Sequence, residues 1–116
     1  MNSKDLEVLK KIQTHANRII LHSKECKVYE DFAGSDLISD ACIFNIMQIG
    51  ELAKNELSDE IKQRISSIPW NNIYGMRNRI VHGYSHVDMH IIWDTVRENI
   101  PELSRELERF IKQKTP

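Results

Sequence analysis

The stretch Leu37-Ile38-Ser39-Asp40-Ala41-Cys42-Ile43-Phe44-Asn45-Ile46-Met47-Gln48-Ile49-Gly50-Glu51-Leu52 is apolar on almost every side. As a helix it must be covered all round. In a chain of 116 residues that puts it at the centre of a bundle or at a subunit interface. Asn45, Gln48 and Glu51 interrupt the run at three-residue spacing and are expected to form one narrow polar strip. Ser35 is placed to cap the helix, with Asp36 favourable in its first turn.

Upstream, Leu6, Leu9, Ile12, Ala16, Ile19 and Ile20 follow three-and-four spacing, one apolar stripe on a helix expected to end between Leu21 and Lys24. Residues 25–34 read as a connection with a helical turn around Tyr29 to Phe32. Downstream, Ser58 caps a short helix with Asp59 and Glu60 in its first turn and Ile61 and Ile65 facing inward. After Pro69, a helix over Trp70 to His82 stops at Gly83. Asp88 caps another that carries Ile91, Ile92, Trp93 and Val96. Pro101 either kinks that helix or starts a further one through Leu103, Leu107, Phe110 and Ile111. The sequence has no strand alternation with turn signals, no repeat and no low-complexity tract. The expected fold is all-α, an up-and-down bundle of four to five helices, in one domain over residues 1–116.

Composition narrows the class. With 41% hydrophobic and 28% charged residues, the chain has a globular balance and is long enough to bury a core without disulfides or metals. No apolar run approaches the roughly 18 residues of a membrane span. The charged start, Met-Asn-Ser-Lys-Asp-Leu-Glu, lacks a signal-peptide core, so a cytoplasmic protein is expected. Cys42 lies in an apolar stretch and reads as core, Cys26 lies in a loop, and neither is assigned a function. Sixteen Lys and Arg against 17 Asp and Glu give a net charge of −1. Bulk charge therefore does not hold nucleic acid, and any RNA contact must come from a local cluster.

That cluster is Arg77-Asn78-Arg79-Ile80-Val81-His82-Gly83-Tyr84. RNA is cut when its 2′-hydroxyl attacks the neighbouring phosphate. The reaction needs a group that moves protons and a cation on the phosphoryl oxygens. Histidine, with an ordinary pKa of about 6.5, suits the first task. Arginine, always charged and matched to phosphate, suits the second. Neither role requires a metal. Residues five apart on a helix leave about 140° apart, so Arg77 and His82 diverge. Either the site sits at the helix end or two subunits complete one cleft. Arg77 also falls among Ile73, Met76, Ile80 and Val81, an apolar stripe where it must be paired or reach out along its stem. Glu51 is the candidate partner.

Arg77, His82 and Tyr84 match the HEPN signature of arginine, four residues, histidine, any residue, tyrosine. Phe32, Asp40-Ala41, Ile49-Gly50-Glu51, Pro69-Trp70, Met76-Arg77-Asn78, His82-Gly83-Tyr84, Val87-Asp88 and Trp93 stand in an order and spacing that resemble the HepT branch of that family, over roughly residues 5 to 112. The resemblance implies a helical bundle that dimerises with the motifs in a cleft between subunits. It implies a metal-independent endoribonuclease, the toxin of a toxin–antitoxin pair. Arg77 corresponds to the phosphate-stabilising residue and His82 to the proton-transfer residue, with Asn78 agreeing with the family. Arg79 is assigned at most a hold on RNA phosphate, and Glu51 a place beside Arg77 or in the cleft. No cofactor or metal is expected. The partner implied is a minimal nucleotidyltransferase antitoxin (MNT), which adenylylates the motif tyrosine, here Tyr84, and so puts a bulky anion where RNA phosphate must lie.

Competing readings stand beside this one. The chain could be a non-catalytic HEPN subunit that docks a nucleotidyltransferase or a nucleotide, or a structural dimerising bundle. His82 could serve its helix end, Arg77 could be a structural ion pair, and Tyr84 could be a core aromatic. His82, His86 and His90, spaced four and four, would line up for zinc on an unbroken helix; Gly83 and the capping Asp88 argue against one. Trp70 and Trp93 read as core anchors.

Overall fold

The structure, a computed structural model, describes residues 2–114. Its helices are α1 Ser3–His22, α2 Tyr29–Ala33, α3 Asp36–Asn55, α4 Asp59–Arg64, α5 Trp70–Gly83, α6 Met89–Asp94 and α7 Ile100–Lys114. A 3-10 turn, Tyr84–His86, follows α5, and a π turn, Thr95–Asn99, joins α6 to α7 in one long rod. There is no strand among the described residues. The bundle expected from the sequence is thus four long elements (α1, α3, α5 and the α6–α7 rod) with two short helices, α2 and α4, between them.

The helix starts are chemically encoded. Ser35 Oγ accepts from the Ile38 N–H and Ser58 Oγ from the Ile61 N–H, each at 3.2 Å, and Asp88 Oδ1 accepts from the His90 N–H at 2.9 Å. These caps satisfy amides that the first turn leaves without intrahelical partners. Asp5, on α1, is buried and accepts from both the N–H and Oγ of Ser58. That ties the start of α4 to α1. Of the two expectations for Pro101 the second holds: it stands in the first turn of α7, which starts at Ile100 and carries Leu103, Leu107, Phe110 and Ile111. It follows the π turn, in which the Ile100 N–H bonds to the Thr95 carbonyl. The wider turn gives the ring room against the preceding carbonyls.

The core runs from Leu9, Ile12 and Ile19 of α1 through Cys42 and Ile46 of α3 to Ile92, Leu103 and Leu107 of the rod. Trp70 and Trp93 are buried as expected. The Trp70 Nε1–H donates to the carbonyls of Lys62 and Ile65, both at 3.1 Å, and Trp93 packs on buried Phe32 at 5.3 Å between centroids. α3 packs against both α1 and α5.

α3 is not covered all round. Leu37 is 83% exposed and Phe44 53% exposed. Seven residues separate them, close to two turns, so they share one outward face. The expected polar strip also divides. Asn45 is buried against α1, where its Oδ1 meets His15 Nδ1 at 2.8 Å, whereas Glu51 turns to α5. Steps of three residues rotate about 60° backwards each time, so Asn45 and Glu51, two such steps apart, face different neighbours. Val81 and Ile20 are also exposed, not in the core.

Candidate active site

Two side chains on one face of α3 take hold of the motif on α5. Asp40 and Glu51 lie eleven residues apart, about three turns, and so point the same way. The Arg77 Nε–H donates to Glu51 Oε1, and the two side chains are 17% and 33% exposed. Glu51 is steadied in turn by Asn55 Nδ2, which donates to its Oε2 at 3.0 Å. Arg77 Nη1 donates to Asn78 Oδ1 at 2.9 Å. Nε and Nη1 thus hold the guanidinium at two atoms, and Nη2 has no hydrogen-bond partner among the described residues.

Glycine makes the approach possible. A Cβ on Gly50 would overlap Arg77 Cβ and stand 2.8 Å from its Cγ, with the Ile73 carbonyl oxygen at 3.4 Å. α3 and α5 therefore touch nearly backbone to backbone where Arg77 leaves its helix. This sets the depth at which the arginine meets Glu51.

His82 lies in the last turn of α5 with its side chain exposed. Tyr84, on the 3-10 turn, is 54% exposed and is no core aromatic. Its hydroxyl donates to Asp40 Oδ1 at 2.8 Å. That bond holds the phenol in its neutral form and pushes its pKa up; partial burial and the charges of Asp40 and Asp36 push the same way. Asp40 was legible only as a landmark of the family pattern. The signal that could have exposed its role is its eleven-residue spacing from Glu51.

Not every candidate joins the cluster. Arg79 is exposed and leaves α5 on another face, along a groove of about 450 Å³ between α5 and the rod that also touches Asn72, Met76, Thr95 and Leu103. The three histidines do not line up. His90 stacks on Tyr29 at 3.7 Å between centroids, and no group of three His, Cys, Asp or Glu side chains suited to a metal gathers among the described residues. The candidate site of the chain thus holds an arginine paired to a carboxylate, an exposed imidazole at the helix end and a phenol on a second carboxylate.

Comparison with known proteins gives the family of the chain. The family model described as "Ribonuclease HepT-like" matches residues 6–110. "Putative RNase TTE0752" of Caldanaerobacter subterraneus is 34% identical over 73% of this chain and 75% of its own length. "Putative RNase MJ0125" of Methanocaldococcus jannaschii is 33% identical over 87% of this chain and 85% of its own. "Probable ribonuclease HepT" of Thermococcus cleftensis is 34% identical over 72% and 76%. No solved structure matches the chain. With its helical bundle, its motif at the end of α5 and a family match across nearly its whole length, the chain belongs to the HepT-like ribonuclease family.

Proposed function

We infer that the chain is an endoribonuclease, and we propose that it cuts RNA without a metal, using Arg77 and His82, in a cleft completed by a second copy of itself. The observation that carries this reading is the fixed guanidinium of Arg77, clamped by Glu51 and Asn78 with Nη2 left over, on the same helix as an exposed His82. Attack of the 2′-hydroxyl on phosphorus builds negative charge on the non-bridging oxygens. A preset cation stabilises that charge without reorganising. His82 takes the proton from the 2′-hydroxyl or returns one to the departing 5′-oxygen.

The two groups leave α5 in different directions, so one protomer does not aim both at one phosphate. The outward face of α3, with exposed Leu37 and Phe44 beside Asp40 and Tyr84, is an apolar patch next to the motif. A two-fold axis across it brings Arg77 of one copy toward His82 of the other. In this reading the chain is the toxin of a toxin–antitoxin pair acting in the cytoplasm. A minimal nucleotidyltransferase neutralises it by adenylylating Tyr84, the exposed phenol of the site.

The test is cleavage of a labelled tRNA and messenger mixture by wild type and His82→Ala in the presence of a strong chelator. Cutting by wild type alone is expected, with a loss of roughly 10²-fold or more in the variant. Equal cutting by both removes His82 from the mechanism. No cutting by a folded, unmodified wild type favours a subunit that binds without turnover.

A further inference from the structure

Tyr84 does not sit in the site as a passive aromatic. The residue is more than half exposed, and its hydroxyl donates to one carboxylate oxygen, Asp40 Oδ1, 2.8 Å away. Asp40 forms no salt bridge among the described residues, so no cation competes for that carboxylate. Asp36 lies one turn earlier on α3 and adds its negative charge near the phenol. A lone, solvent-reachable hydroxyl on an unpaired carboxylate is the arrangement by which hydroxyl nucleophiles attack phosphorus in phosphoryl-transfer enzymes.

We propose that Asp40 is the proton acceptor for Tyr84 when that hydroxyl is adenylylated. This rests on the reading of Tyr84 as the modified residue. Tyr84 Oη attacks the α-phosphorus of a nucleoside triphosphate carried by the nucleotidyltransferase. The Oη–phosphorus bond forms as the bond from the α-phosphorus to the bridging oxygen breaks. Pyrophosphate leaves with that electron pair, and the phenolic proton passes to Asp40 Oδ1 and then to water. At rest the carboxylate is too weak a base to ionise the phenol, so Tyr84 stays neutral and unreactive. As the new bond forms, the phenolic oxygen loses electron density and the transfer to Asp40 becomes favourable. The chain thus supplies both the nucleophile and its base, while the partner supplies the nucleotide.

The experiment uses the full chain with a purified minimal nucleotidyltransferase of the antitoxin type and α-labelled ATP, mapping the label by mass. Asp40→Asn keeps the size and an accepting oxygen but takes no proton. At neutral pH it should slow labelling of Tyr84 by roughly 10²-fold. Its rate should then rise about tenfold per pH unit toward the phenol's ordinary pKa of about 10, because phenolate needs no base. The wild-type rate should change little over the same range. A purely structural role for Asp40 would leave the two pH profiles parallel. Labelling of Asp40→Asn at the wild-type rate, or parallel profiles, overturns the role of Asp40 while leaving Tyr84 as the target. Absence of label on wild-type Tyr84 overturns the modification reading and this inference with it. Independently of any partner, Asp40→Asn in a Tyr29→Phe, Tyr74→Phe background should lower the ultraviolet titration of Tyr84. An unmoved titration removes the bond on which the proposal stands.

Discussion

At the scale of single residues, position rather than charge distinguishes Arg77. Glu51 and Asn78 hold it at defined atoms. Because the ion pair is partly open to water, Glu51→Ala should cost about 1 kcal/mol of stability in urea unfolding. Cleavage should fall much further, by roughly 10-fold to 10²-fold, since a small displacement of a phosphate clamp weighs heavily on rate. Glu51→Gln, which keeps an acceptor, should fall between. A loss of cleavage no larger than the loss of folded protein would make the pair merely structural. The pairing of Arg77 with Glu51 was legible in the sequence because an arginine within an apolar stripe demands a partner. The Tyr84–Asp40 bond was not, because it depends on a 3-10 turn that returns the chain to α3, and no periodicity encodes that return. Cys42 offers a separate check. Burial first, then the neighbouring Cys26, pushes its thiol up to about 12. The folded state therefore keeps a proton that the unfolded chain releases above its ordinary value of about 8.5. The matching stability is complete below that pH and is lost as pH rises toward 12. At neutral pH a thiol reagent should label Cys26 and spare Cys42 until the chain unfolds; prompt labelling of both would contradict the buried placement.

At the scale of elements, the contact of α3 with α5 sets the site. Gly50→Ala would force a methyl group into the Cβ and Cγ of Arg77. The expected cost is about 1–3 kcal/mol, as in other overpacked contacts, with a loss of cleavage beyond that of stability because Arg77 itself is displaced. Gly75→Ala is the control, since a Cβ there meets nothing within 4 Å. Equal behaviour of the two variants would mean that the close approach does not matter. The elements themselves were largely legible. The caps Ser35, Ser58 and Asp88 and the apolar spacing of α1 locate helices that the structure contains. The outward face of α3 was hidden because hydrophobicity all round a helix says that cover is needed, not what provides it. The π turn before Pro101 was hidden because proline in a helical pattern signals strain without choosing among a kink, a break and an inserted residue.

At the scale of the whole molecule, the outward face of α3 leaves Leu37 and Phe44 exposed. No helix among the described residues is long and apolar enough to cross a membrane, so Leu37 and Phe44 are not explained by a span. A second copy is the proposed cover. Phe44→Asp should then reduce the mass seen by light scattering at micromolar protein from dimer to monomer, with cleavage falling in parallel. A wild type already monomeric under those conditions would contradict the shared cleft. The net charge of −1 fits a catalyst that holds RNA at a local cluster, and affinity should fall only gently with salt.

The most direct measurement mixes two dead subunits. Arg77→Ala and His82→Ala, each inactive alone, are combined and allowed to exchange before labelled RNA is added. If Arg77 of one copy works with His82 of the other, each mixed dimer keeps one intact site, and cutting returns in the mixture. Continued silence of a mixture shown to contain mixed dimers, with wild type active in the same assay, would contradict a site built by two subunits.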